Sequence, residues 1–154
     1  MRKTQEVVID DQDPENRDGG KHYIITEMPA TKGEKWAARA INALLASGIE
    51  IPDKAIGQGM KGLAMLGSSG FSNFRGVSWE ALEPLMDEMM SCVTRVHDTG
   101  SGRTRPVVEN DIEEIKTRLL LRNAWLELHI GFSFAGAPKI SDSAPATTED
   151  LSSI

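Results

Sequence analysis

Residues 6–10 (EVVID) and 21–27 (KHYIITE) are short apolar runs of β-branched and aromatic residues flanked by polar ones, and they predict two β-strands. The intervening DQDPENRDGG supplies Pro14, Asn16, Gly19 and Gly20 for turns, so the pair reads as an antiparallel hairpin with a long polar tip. Pro29 closes the second strand, because it has no N–H to give to a ladder. From Trp36 a helical period begins. Trp36, Ala37, Ala40, Ile41, Leu44 and Leu45 return every three or four positions and form one face of a helix. Thr31 and Glu34 have the spacing of a capping box at its start, and Gly48 stands where a left-handed residue would stop it.

Residues 49–76 carry a weaker pattern. Ile56, Met60, Leu63 and Ala64 are helically spaced, but Gly57, Gly59 and Gly62 each disfavour a helix interior by about 1 kcal/mol relative to alanine. A weak helix held by packing is expected, then a mobile loop through GSSGFSNFRG. A third helix begins at Ser78 or Pro84, with Leu82, Leu85, Met86, Met89 and Met90 on its apolar face. CVTRVHD and RTRPVV flank TGSG as a second hairpin. Asn110 and Glu113 repeat the cap spacing ahead of a long helix over residues 111–130, whose apolar residues spread around much of its circumference. Beyond Phe134 the chain turns to Pro, Ser, Thr, Ala and acidic residues, a composition that builds no core. The pattern therefore predicts an α+β fold of three to four helices packed with short antiparallel hairpins over residues 1–134, and a disordered acidic tail over 135–154. The expected core includes Trp36, Ile41, Leu44, Leu85, Ile115, Leu119 and Leu126.

The chain has 154 residues with 40% hydrophobic and 26% charged, which suits one soluble domain. Its formal net charge of −6 argues against a general phosphate-backbone binder, although Arg95, Arg103 and Arg105 could form a local basic patch. With Cys92 as the only cysteine no intramolecular disulfide can form, and a reducing cytoplasm fits best. The N-terminus has no apolar stretch of the secretory kind, and no apolar run approaches the roughly 20 residues needed to span a bilayer.

Candidate chemistry is sparse. Gly57-Gln-Gly59-Met-Lys-Gly62 matches the dinucleotide fingerprint literally, but Pro52-Asp-Lys-Ala-Ile ahead of it makes a poor strand. Glycines in a closely packed or flexible segment explain it better. His22, His97, His129 and Cys92 are scattered singly, without the short spacings of zinc ligands. Cys92 lies in an apolar run, where burial makes a thiol inert. No catalytic constellation, cofactor site or metal site can be named, and the chain is read as a non-enzyme. Five of its seven methionines, Met60, Met65, Met86, Met89 and Met90, cluster in the middle third. Methionine adapts to irregular partners on binding surfaces, although core filling is its commoner role.

The stretch RDGGKHYIITEMPATKGEKWAARAINAL resembles the tail assembly chaperones of long-tailed bacteriophages. The pattern is an R-D-x-G-K turn (Arg17, Asp18, Gly20, Lys21), a strand ending in E-M-P-A (Glu27, Met28, Pro29, Ala30) and a helix carrying E-x-W-A (Glu34, Trp36, Ala37). The order of the later elements is also similar: EPLMDEMMSCV, a short hairpin, then a long helix ending in LHIGFSF, so the resemblance spans roughly residues 15–134. It implies a protein of the infected bacterial cytoplasm that is not part of the finished virion. Such a protein binds the tape-measure protein, keeps it soluble and promotes polymerisation of tail-tube subunits around it. The implied partners are the tape-measure and tail-tube proteins, with no nucleic acid and no membrane, and self-association left open. On this reading Met60, Met65, Met86, Met89 and Met90, with Leu121 and Trp125 of the over-apolar last helix, form the client surface. The alternative is a structural head–tail connector or tail-completion protein retained in the particle.

Overall fold

The structure, a computed structural model, describes residues 1–65 and 76–131. Among these the order is β1 (Thr4–Val8), β2 (His22–Thr26), α1 (Ala30–Ala46), a helical segment α2 that includes residues 60–65, α3 (Trp79–Met90), β3 (Val93–Asp98), β4 (Arg103–Pro106), a 3-10 turn at Glu109–Asp111 and α4 (Ile115–Ile130). The fold is α+β, as the periodicities predict. The loop expected over residues 67–76 falls almost wholly outside the described residues, and the tail expected over 135–154 falls entirely outside them.

Both predicted hairpins form, and they join into one antiparallel sheet of order β1-β2-β3-β4. Tyr23 lies opposite Val7 on β1 and Arg95 on β3, so β2 is a central strand. Val7, Tyr23, Ile25 and Val93 share one face and belong to the buried core, while His22, Ile24 and Thr26 alternate with them on the other face, where Val96 pairs with His22. At the tip of the first hairpin Gly20 has φ +80°, which an L side chain rarely adopts, and its N–H bonds to the Ile9 carbonyl at 2.8 Å. That turn sets the position of Asp18 and Lys21.

α1 begins two residues earlier than the Thr31–Glu34 spacing predicts. Pro29, with φ −54° and ψ 146°, precedes Ala30 as the N-cap and makes no side-chain cap bond. Thr31 then falls inside the first turn, so the expected Thr31–Glu34 capping box does not form. The predicted face holds: Trp36, Ala37, Ala40, Ile41 and Leu44 are buried, and Leu45 alone is exposed. Gly48, at φ +89°, ends the helix as expected. α3 starts after Ser78, which leaves Pro84 within the helix rather than in its first turn. The price is one missing main-chain hydrogen bond, that of the amide which proline lacks.

The last helix departs most from expectation. The segment ahead of it forms the 3-10 turn, and α4 opens only at Ile115. Its buried stripe is Thr117, Leu121, Ala124 and Trp125, at helical spacing. Ile115 is 78% exposed and Leu119 48% exposed, so neither belongs to the core as predicted. The buried cluster otherwise contains the predicted Trp36, Ile41, Leu44, Leu85 and Leu126.

Candidate functional site

The R-D-x-G-K turn is held against the residues leading into α4. Asp18 is fully buried, and its carboxylate accepts the amide N–H of Glu113 (2.9 and 3.2 Å) and of Glu114 (2.9 Å). The Lys21 ammonium donates to the same carboxylate at 2.8 Å and to the Asp111 carbonyl at 3.1 Å. Burial alone would raise the Asp18 carboxyl; the Lys21 ammonium and the Glu113 amide outweigh it and hold the group at about 2. Arg17 completes the contact by donating from Nε to Glu114 at 2.8 Å and from its terminal nitrogen to the Glu113 carbonyl at 2.8 Å.

A second buried carboxylate stabilises the same corner. Asp111 accepts both terminal nitrogens of Arg105 at 2.6 Å and the Val108 amide at 2.8 Å. Arg105, more than the burial that opposes it, keeps the Asp111 carboxyl below the usual range. The Tyr23 hydroxyl donates to the Asp111 carbonyl at 2.6 Å, and Arg95 lies 5.5 Å above the Tyr23 ring. Burial, helped by Asp18, pushes the Tyr23 hydroxyl up to about 12. Two of the three arginines of the expected basic patch, Arg95 and Arg105, thus face Asp111.

The other two pieces of the motif also reach α4. The Met28 amide donates to Nε2 of His129 at 2.9 Å, so Nδ1 carries the ring proton and donates it to the Trp125 carbonyl at 2.8 Å. The imidazole stacks on Trp125 with centroids 3.9 Å apart. Burial lowers the His129 pKa, against the opposing pull of the Trp125 carbonyl and Glu27. Trp36 meets Trp125 at 4.5 Å between centroids, and its indole N–H donates to the Leu85 carbonyl at 3.0 Å.

Beside Met28 and His129 lies an open cleft of about 450 Å³, bounded also by Glu27, Glu34, Gly59 and Met60. Gly57 and Gly59 of the dinucleotide-like run form one wall, and Gly62 lies just beyond it in sequence. A β-carbon on Gly62 would come within 2.0 Å of the Ala55 carbonyl oxygen, so this glycine serves a close backbone approach. Among the described residues no cluster of His, Cys, Asp and Glu could hold a metal ion. His129 has both nitrogens committed to main-chain partners, and the Glu27 carboxylate accepts the Lys3 amide at 3.0 Å. The cleft lining combines the Met60 thioether and glycine backbone with the polar side chains of Glu34, Gln58 and Lys61.

The seven residues expected to bind a client do not share one surface. Leu121 and Trp125 are fully buried and Met89 is 6% exposed, so core packing removes these three from the candidate surface. Met60 is half-buried in the cleft wall, and Met65 is exposed. Met86 and Met90 are half-buried on α3, with Met90 packed against the core. Sequence reasoning named Asp18 only as part of the R-D-x-G-K turn and missed both its burial and the buried Asp111; for Asp18 the signal available was an acid beside glycines in a hairpin tip. Comparison of the chain with protein-family models, with curated proteins and with solved structures found no match.

Proposed function

We propose that this chain is a tail assembly chaperone of a long-tailed bacteriophage, which binds the tape-measure protein, keeps it soluble and promotes tail-tube polymerisation around it. One observation carries the reading: the three short motifs of the resemblance, at Arg17–Asp18–Gly20–Lys21, at Glu27–Met28–Pro29–Ala30 and at Glu34–Trp36–Ala37, follow one another in the order of the resemblance. Their contacts give physical support. Asp18 fixes the entry to α4, Met28 is bonded to His129 near its end, and Trp36 packs on Trp125 between them. Motif residues with such roles specify a fold rather than a reaction, which suits a protein that acts by binding. Met60 in the cleft wall and the exposed Met65 remain the methionines suited to an apolar client segment.

Co-expression with the tape-measure protein encoded beside it tests the proposal. The expected result is a soluble complex recovered by pull-down, with the tape-measure protein insoluble when expressed alone. A tape-measure protein that is equally soluble alone and is not captured would overturn the reading. Recovery of the chain in stoichiometric amount from purified virions would instead support a retained connector or completion protein.

A further inference from the structure

The first two turns of α4 carry two adjacent rows of side chains. Ile115 and Leu119, four residues apart, form one row and are among the more exposed large apolar residues of the chain. Arg118 and Arg122, also four apart, run beside them, each three residues after its apolar neighbour. Both arginines are half-buried, and among the described residues neither makes an ion pair. Glu114, one turn before Arg118, is already taken by Arg17. Burial and the neighbouring charge of Arg118 lower the Arg122 pKa, with no carboxylate offsetting either. This contrasts with the half-buried Arg95 and Arg105, both of which face Asp111. Leu126, the next residue along the same side of the helix, is buried, so the open stretch is confined to residues 115–122, about 12 Å of helix.

We propose that this face of α4 docks a helical segment of another protein, one that presents a row of apolar side chains beside a row of carboxylates. The apolar row packs on Ile115 and Leu119 while the carboxylates meet the two guanidinium groups, whose planar forks favour paired hydrogen bonds. A second copy of this chain fits less well, because two-fold pairing through this face sets one basic row near the other. Nucleic acid would satisfy the arginines and leave Ile115 and Leu119 against a charged backbone. The inference goes beyond the chaperone reading, since it names the chemistry of a partner and holds whichever protein supplies it.

Fluorescence anisotropy with the full chain and two labelled helical peptides tests it. Both peptides carry leucine at i, i+4 and i+7; one has glutamate at the flanking positions and the other lysine. The glutamate peptide should bind at least about tenfold more tightly, and its affinity should fall as salt rises, because partly exposed charge pairs are screened. Ile115→Asp with Leu119→Asp should abolish binding. Arg118→Glu with Arg122→Glu should transfer the preference to the lysine peptide, a gain that misfolding does not produce. Equal binding of both peptides, binding of neither, or no transfer of preference overturns the proposal. Displacement of the glutamate peptide by an oligonucleotide overturns it in favour of nucleic acid. A dimer in sedimentation that Ile115→Asp with Leu119→Asp dissolves overturns it in favour of a second copy.

Discussion

The Asp18 carboxylate receives the Glu113 amide through both of its oxygens, at 2.9 and 3.2 Å, across 95 residues of chain. A hairpin tip thereby supplies the anchor that α4 lacks in its own sequence, since no side chain of its own N-cap bonds there. Asp18→Asn keeps the shape of the side chain but loses the charge that Lys21 and the two amides surround. We expect about 2–4 kcal/mol of destabilisation in urea unfolding, the range for breaking a buried charge-assisted network. A midpoint unchanged from the parent would show that the contacts contribute little.

The same carboxyl gives stability an acid limb. Its folded value of about 2 lies below the ordinary 3.8, so its contribution is present above that ordinary value and is lost as pH falls toward the folded one. Asp18→Asn should flatten this part of the stability–pH curve relative to the parent. Parallel curves would assign the acid limb to other carboxylates.

His129 acts in a higher window. Burial holds its pKa below 6.5, and the folded form needs a neutral Nε2 to accept the Met28 amide. The unfolded chain therefore binds the proton first, and stability declines as pH falls below 6.5 toward the lowered folded value. Thermal unfolding of the parent and of His129→Phe across this range should show a decline in the parent that the variant lacks. The same pH dependence in both proteins would place the effect elsewhere.

Trp36 is 3% exposed, packed near Trp125 and bonded to Leu85, so Trp36→Ala should cost about 3–5 kcal/mol. Unfolding at the parental midpoint would make the ring peripheral.

Two glycines should respond in opposite directions. Gly62→Ala forces a β-carbon against the Ala55 carbonyl oxygen and should destabilise by about 1–3 kcal/mol. Gly33→Ala meets only ordinary contacts at 3.8 Å with Met28 and Met60, and should stabilise α1 by about 0.5–1 kcal/mol. Denaturant titration of both variants checks the pair, and the same sign for both would contradict the geometry.

These contacts explain which parts of the molecule were legible in its sequence. β1 to β4 and α1 were readable because short β-branched runs bounded by turn residues and helical spacing are local signals, and Pro29 and Gly48 mark the limits of α1. α4 was misread at its start because Asn110 and Glu113 imitate a cap, while the bonds that fix that segment come from Asp18 in another hairpin. Its buried face was obscured by Thr117, a polar residue on the stripe, and by Ile115 and Leu119, apolar residues off it. The methionine cluster shows a similar limit. Spacing put Met89 and Met86 on one face, but packing against the core buries Met89 to 6% exposure and leaves Met86 half-buried.

The central structural claim is that the hairpin motif positions α4, and amide hydrogen exchange on Asp18→Asn tests it most directly. In the parent, the amides of Glu113 and Glu114 and those of the first turns of α4 should be protected to a similar degree. In the variant, protection at these amides should fall by about tenfold or more, the equivalent of roughly 1.4 kcal/mol, while the β2 and β3 amides change less. Unaltered protection at Glu113 and Glu114 in a folded Asp18→Asn protein would contradict the account.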